Sequence, residues 1–466
     1  MGNDKLYGPC RGLKTGLEDD TKDKAQSNHV KMTESSVPLL VISLSASTIC
    51  TMLIATTYNL VDTYFVSGLG KSQVGAVGVM FSAMALIQAV GYTFGMGAGS
   101  LISRFLGKKD KNNAEQTLIC AFVASIFFGT IMGVLGLIYI KPLIRLLGAT
   151  ATIEKYALSY GKYILIGTPV MCGAYVLNNC LRSEGKPYLA LLGIAAGGGL
   201  NIFLDYLLIK VFHIGIAGAG IATLAGQSVS LMIMLICFAG NKSVIKLRIK
   251  QFTAGFSAHW GIIKIGLPSF WRQGLMCLAG ILLNRSCMKY GDEAVAAMSI
   301  ANKIFAVVFA LLVGYGQGFS PVAGYNYGAK RNDRVKKSVN WSVISATVAM
   351  LILGAAIYFL APWLIDKFSQ ESAVSDMSVL ALRAHAVSLP FMPLCLICGM
   401  LFQAIGSVGQ ATLISAARQG IFFLPLIWIL PMLWGTTGIA ITQSAADVLA
   451  GLFSLPFLIH AERKLI

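Results

Sequence analysis

Three carboxylates lie inside long apolar stretches of this 466-residue chain: Asp62 in YNLVDTYF, Asp205 in NIFLDY, and Asp447. Most of the other acids fall in tails and polar breaks. A charged side chain in hydrocarbon costs about 2.5–3.5 kcal/mol on insertion scales, so each of the three needs a partner or a task. Asn201 stands four residues before Asp205, which puts its amide and the carboxylate on one helix face. Helix rise places Asp205 about 25 Å from the cytosolic start of its helix, and Thr223 about 12 Å in from the outer start of the next. Asp62 lies near the outer end of the first apolar stretch. The four side chains can therefore meet, offering two carboxylates, an amide oxygen and a hydroxyl. Hard oxygen donors of this kind suit a small cation such as Na⁺. Two carboxylates in a poorly solvated cavity cannot both stay charged without cost, so protons would compete for the same place. The plainer alternative is that each acid hydrogen-bonds locally and holds helices together. For Asp447, with no evident polar partner nearby, that structural reading is preferred.

The elements that must position these residues are membrane helices. Hydrophobic residues make up 56% of the chain, charged residues only 12%, and mean hydropathy is +0.71. No soluble core could bury that much apolar surface, which excludes a cytosolic enzyme. Continuous apolar runs dominate, without the alternation of barrel strands. Twelve spans are predicted, at approximately 37–66, 74–103, 118–140, 160–182, 188–210, 215–239, 262–289, 295–320, 338–361, 380–404, 411–433 and 437–460. Each is long enough for a bilayer core. The expected fold is thus an all-α membrane protein, with no enzymatic constellation of nucleophile and base. Lys and Arg in alternate polar breaks and the two tails number 23 on one side and 7 on the other. The positive-inside rule then puts both termini in the cytoplasm. The net charge of +17 is read as topology and lipid-headgroup contact, with no role in binding nucleic acid.

The chain also repeats itself. A shift of 221 residues aligns 74–109 with 295–330, pairing Gly95 with Gly316, Gly97 with Gly318 and Lys109 with Lys330 among eight identities. The same shift pairs Pro169 with Pro390 and Gly185 with Gly406. Two six-helix lobes in parallel orientation are expected, related by an axis along the membrane normal, with a cleft between them. The division is residues 1–35 as a disordered cytosolic tail, 36–240 and 261–460 as the lobes, 241–260 as a cytosolic linker, and 461–466 as a second tail. Under the shift Asp62 maps to Leu283, Asn201 to Phe422 and Asp205 to Leu426. Acids serving architecture alone should recur in both lobes, so the asymmetry points to a working site in the first. The second lobe carries Arg272, Arg285 and Lys303 in its first two spans, where they snorkel or line the cleft.

Other motifs carry less. Cys395 and Cys398 form a C-x-x-C inside an apolar run and read as buried thiols. Gly70-Lys71-Ser72 resembles the end of a phosphate loop, but Phe65 stands where the leading glycine is required. With no nucleotide site, transport would draw on an ion gradient or be passive. Pro169, Pro321, Pro390 and Pro425 are positioned to kink spans.

Taken together, YNLVDTYFVSGLG, LRSEGKP, NIFLDYLLI, GIAGAGIAT and GYNYGAK resemble the multidrug and toxic compound extrusion (MATE) family over essentially the whole chain after residue 35. That resemblance implies a V-shaped, alternating-access antiporter that exports organic cations against Na⁺ or H⁺ entry. It needs no cofactor beyond the coupling ion, sits in the plasma membrane among its lipids, and works as a monomer. The chain is more similar to the DinF-like branch, which implies cation coupling on Asp62, Asn201, Asp205 and Thr223, with Tyr58, Tyr160 and Asn178 at the substrate cavity of the same lobe. The NorM-like branch uses acids in the seventh and tenth spans, and this sequence has none there. A lipid-linked oligosaccharide flippase of the wider superfamily is the alternative, with cleft cations holding a pyrophosphate.

Overall fold

The computed structural model describes residues 26–240, 242–252, 255–367 and 372–464. Helix α1 (Val37–Ser67) begins with Pro38 in its first turn, where the missing N–H would have no helical partner anyway. It is followed by α2 (Lys71–Gly107) and α3 (Lys111–Ile138). Asp110 caps α3 by accepting from the Asn113 N–H at 3.1 Å. After the short α4 (Ile140–Leu146), helices α5 (Ala151–Ile166) and α6 (Thr168–Ser183) form one span bent by 50°. Pro169, at the start of α6, accounts for the bend. Helix α7 (Pro187–Asp205) runs into a π-helical segment, Tyr206–Val211, before α8 (Ile216–Ala239) closes the lobe.

The second lobe comprises α9 (Phe256–Met288), α10 (Asp292–Gly328), α11 (Asn332–Asp366), α12 (Ser372–Ser388), α13 (Met392–Ile405), α14 (Val408–Ala416) and α15 (Phe423–Lys464). A 3₁₀ turn at Leu389–Phe391, containing Pro390, joins α12 to α13. A π-helical segment, Ala417–Phe422, joins α14 to α15. Non-helical backbone at Trp434 and Gly435 divides α15 in two.

Among the described residues, nine segments are long and apolar enough to cross a membrane, and the bent α5–α6 pair makes a tenth. One of the nine, Val408–Arg463, is two spans by virtue of the Trp434–Gly435 break. The polar α9, with Lys264 and Arg272 along its 33 residues, has the length of a span without the hydropathy. The twelve-span order expected from sequence emerges on that accounting.

The repeat is built into the backbone. Helices α2 and α10 are both 37 residues long, and they begin and end 221 residues apart. Lys109 and Lys330 share a left-handed conformation, with φ of 61° and 58°. Gly185 and Gly406 do the same at 85° and 87°.

The lobes join at one end and separate at the other. One large apolar core mixes residues of both lobes, from Met32, Leu106 and Leu118 to Tyr325, Val335 and Phe402. A second core belongs to the first lobe alone, around Val66, Met80, Tyr160 and Ile216. A third belongs to the second lobe alone, around Leu283, Met298, Phe423 and Ile439. The shared core depends on close backbone approach. A Cβ at Gly97 would lie 2.1 Å from the Ile262 carbonyl oxygen, and one at Gly266 would lie 1.8 Å from that of Thr93. Hydrogen bonds tie α1 to α10 at the same seam: the Thr48 hydroxyl donates to Gly314 O at 2.6 Å and that of Ser45 to Tyr315 O at 3.1 Å.

Of the tail expected over 1–35, residues 1–25 lie outside the described residues, and 26–34 are helical instead of disordered. This helix bridges the joined end. Asn28 donates to Glu184 O at 2.9 Å, Asn326 donates to Met32 O at 3.1 Å, and Met32 is fully buried. Its buried side is Asn28, Met32 and Thr33, so hydrogen bonds to both lobes and one buried methionine seat it. The linker docks too, through two buried carboxylates of the first lobe. Glu184 accepts from the Ser243 hydroxyl at 2.7 Å and from the N–H groups of Val244 and Ile245. Glu115 accepts from Lys246 N and pairs with Arg248 at 3.5 Å.

Two outcomes are expected. Gly266→Ala should destabilise the protein by about 1–3 kcal/mol through overpacking, seen as a lowered thermal midpoint in detergent. Gly274→Ala on the same helix meets nothing within 4 Å and should leave the midpoint unchanged. Burial pushes the Glu184 carboxyl up from 4.5 to about 7, against the lowering effect of its Ser243 hydrogen bond. The folded state therefore holds this proton more tightly than the unfolded chain. The contribution to stability is complete below pH 4.5 and is lost as pH rises through about 7. Glu184→Gln should flatten the fall in thermal midpoint across that window.

Candidate functional site

Two cavities lie side by side, one within the first lobe and one where the lobes meet. The one in the first lobe has a volume of about 270 Å³ and is lined by Tyr58, Tyr175, Asn178, Asn201, Thr223 and Gln227, among others. The second, about 260 Å³, is lined by Arg272, Gln273, Phe309, Gln317, Met392 and Arg418, among others. Met52, Thr56, Gln88 and Tyr92 border both. Gln273 donates to Gln88 at 2.9 Å and so links the lobes at the partition.

The four residues expected to hold a cation come together at the wall of the first cavity. Asn201 and Thr223 face it, while Asp62 and Asp205 sit deeper, 4% and 0% exposed. The Tyr160 hydroxyl donates to Asp62 Oδ2 at 3.5 Å. Asp62 and Asp205 stand on α1 and α7, which pack directly against each other. Oδ1 of Asp62, both oxygens of Asp205 and both amide atoms of Asn201 are buried without a hydrogen-bond partner among the described residues. A desolvated carboxylate with no donor is costly, and a proton, a metal cation or a bridging water relieves that cost. Local geometry supports the gathering. The π-helical turn that starts at Tyr206 re-aims the helix immediately after Asp205. Among the described residues no three His, Cys, Asp or Glu side chains group as a metal site, so any cation here depends on the amide and hydroxyl oxygens as well.

Of the three expected substrate-cavity residues, Tyr58 and Asn178 line the first cavity. Tyr58 accepts a hydrogen bond from Gln227 at 3.4 Å. Tyr160 does not line it; its ring is packed in the first lobe's own core and its hydroxyl turns to the carboxylates. The reason is helix phase, since α5 presents that face to α8 and not to the cleft.

The second lobe departs further from expectation. Arg272 lines the cavity, but Arg285 and Lys303 are exposed and line neither cavity. Asp447 is not short of partners. Arg418 Nε lies 2.5 Å from its Oδ1 and Arg418 Nη2 lies 3.4 Å from its Oδ2. Gln443 donates to Oδ1 at 2.8 Å, and the guanidinium stacks 4.4 Å from the Phe309 ring centroid. Arg418 was readable as the single base in the eleventh apolar run, and Gln443 stands one turn before Asp447. Nearby, buried His385 contacts the Ser444 hydroxyl at 3.1 Å and stacks on Phe305. Cys395 and Cys398 are free, buried thiols whose S–H groups point at Ile414 O and Ser454 O.

Two related helical lobes joined at one end, with one cavity in the first and a second where they meet, define a membrane transporter. The chain belongs to the MatE family, whose model matches residues 48–207 and 268–429, one stretch in each lobe. It is 26% identical over 404 residues to the multidrug export protein MepA of Staphylococcus aureus (strain MRSA252), covering 86% of this chain and 89% of that one. The MepA protein of Staphylococcus haemolyticus is 24% identical over 432 residues, with 92% and 95% covered. Among solved structures, the outward-facing conformation of a multidrug resistance MATE family transporter superposes with a TM-score of 0.88 at 26% identity, covering 94% of this chain and 98% of that chain. A MOP superfamily transporter from Pyrococcus furiosus gives the same score and coverage at 25% identity.

The Arg418–Asp447 pair makes a direct prediction. Asp447→Asn leaves a buried guanidinium unpaired and should cost about 3–5 kcal/mol. Replacing both partners, Arg418→Met with Asp447→Leu, should recover most of that loss in thermal unfolding.

Proposed function

We propose that this protein is a secondary active exporter of amphipathic organic cations, driven by entry of Na⁺ or H⁺ through the first lobe. The observation that carries the reading is the cluster of unpartnered buried polar atoms on Asp62, Asn201 and Asp205 beside the first cavity. A coupling ion is cargo in this scheme, so its site must be costly when empty and tolerable when filled. Two desolvated carboxylates meet the first condition, and the oxygens of Asn201 and Thr223 help with the second. The names of the curated relatives, both multidrug export proteins, support small organic substrates and the export direction. The placement of the acids in the first lobe supports the DinF-like branch.

The helix at 26–34, the last turns of α15 and the linker pack at the joined end, which the Lys and Arg distribution assigns to the cytoplasm. The cavities then open outward. An ion entering from outside neutralises Asp62 and Asp205, which removes the anionic attraction for a bound organic cation and changes the packing of α1. Substrate leaves, the lobes reclose on the outside, and the ion is released inward. Coupling requires ion and substrate to differ in affinity between the two states, and a shared carboxylate pair supplies that difference. Aromatic and methionine side chains in the cavity walls suit a varied substrate range. A monomer is sufficient, because both lobes come from one chain. Flipping of an anionic lipid-linked substrate is the second reading, favoured by Arg272 in the other cavity.

Purified protein in liposomes should move a fluorescent organic cation when a Na⁺ or proton gradient is imposed. Asp62→Asn and Asp205→Asn should each reduce that movement to the protein-free level, and the effective gradient names the ion. Equal movement by all three proteins would remove both aspartates from coupling.

A further inference from the structure

The two cavities are similar in volume and share a wall, yet their polarity differs. Neither has an Asp or Glu in its lining, but the second cavity has two arginines where the first has no basic residue. The charge of Arg418 is matched by Asp447. Arg272 is different. Among the other arginines of the bundle interior, Arg104 donates to Ser100 O and Ile405 O, and Arg182 to Gln317 and Asn179. Arg272 makes no hydrogen bond or ion pair with any described residue. It is half-buried midway along α9, and its side chain forms part of the cavity wall.

We propose that the second cavity binds the anionic group of an amphipathic organic molecule, a carboxylate or phosphate, with Arg272 as its counter-charge. A half-buried guanidinium without a protein partner has its donors free for a ligand, and a planar anion takes parallel N–H···O bonds from it. The rest of the wall suits an apolar body: Met276, Phe309, Val313, Met392 and Leu396 surround the same space. An apolar pocket with one convergent charged group is the usual form of a small-molecule site. The Ser415 hydroxyl adds a donor at the wall. The same chemistry could come from a free organic acid or from an anionic lipid headgroup. The site is independent of the acids proposed for coupling, because binding at equilibrium needs no ion gradient.

The test uses the full chain in phosphatidylcholine nanodiscs, with dansylglycine and its uncharged methyl ester as probes followed by fluorescence. Wild type should bind the acid about tenfold or more tightly than the ester. Arg272→Gln should bring the acid down to the ester's affinity, Arg272→Lys should keep a clear preference for the acid, and Arg285→Gln, outside the cavity, should change neither. Repeating the titration with phosphatidylglycerol in the nanodisc separates the sources. Competition assigns the site to a headgroup, and its absence assigns it to a free amphipath. The proposal is overturned if wild type binds acid and ester alike, or binds neither, or if Arg272→Gln leaves the preference for the acid intact. Should Arg272→Gln not yield monodisperse protein, the acid-to-ester ratio of wild type and Arg272→Lys decides.

Discussion

Everything in this structure depends on backbone meeting backbone where the two lobes join. Gly97 lies against Ile262, and Gly266 against Thr93, at distances no side chain would allow. In lipid there is no hydrophobic force to press helices together, so dense packing of small residues must do it. That packing gives one core common to both lobes at the joined end and a private core for each lobe beyond it. The cavities occupy the place where the shared core stops. The N-terminal helix and the linker clasp the same end through Asn28, Glu184 and Glu115. A transporter that alternates between two faces would have to break these contacts and make equivalent ones at the split end.

Within this frame the lobes have solved one problem in two ways. Each places charge beside a cavity in low-dielectric surroundings, where an unpaired ion is expensive. In the second lobe Arg418 and Asp447 neutralise each other, with Gln443 and Phe309 completing the arrangement. In the first lobe Asp62 and Asp205 face oxygen atoms and each other, with only Tyr160 donating a long hydrogen bond. A neutralised pair is architecture. An unneutralised pair requires an outside partner, and that is why the coupling proposal rests on the first lobe. Arg272 extends the same logic to the second cavity with the opposite sign.

Much of the fold was legible in the chain. The apolar runs gave the helices, and the 221-residue offset gave the lobes down to matching ends of α2 and α10. Hydropathy was less informative where helices are polar or broken. Helix α9 carries Arg272 on the cavity wall and Lys264 at an exposed position, and α15 runs through its own break at Gly435. The segment at 26–34 reads as a polar tail because its apolar residues are few, yet a buried Met32 is enough to seat it when both lobes offer hydrogen bonds. At the candidate site, rise arithmetic brought Asp62, Asn201, Asp205 and Thr223 to one level. It could not say that Tyr160 turns from the cavity toward the acids, or that Arg285 and Lys303 lie outside the cleft, because those depend on helix rotation.

The sequence by itself determined the class of solvent, the number and pairing of the helices, and which residues carry charge into the membrane. Composition and periodicity are properties of the chain, and the bilayer reads them directly. Only the tertiary structure decided which charges meet. Arg418 and Asp447 are separated by 29 residues and a helix break, and Asp62 and Tyr160 by 98 residues, so their contacts are set by how whole helices pack. Whether an intramembrane charge is paired or left bare is therefore a fact of packing, and in this protein that difference separates an architectural ion pair from a candidate binding site.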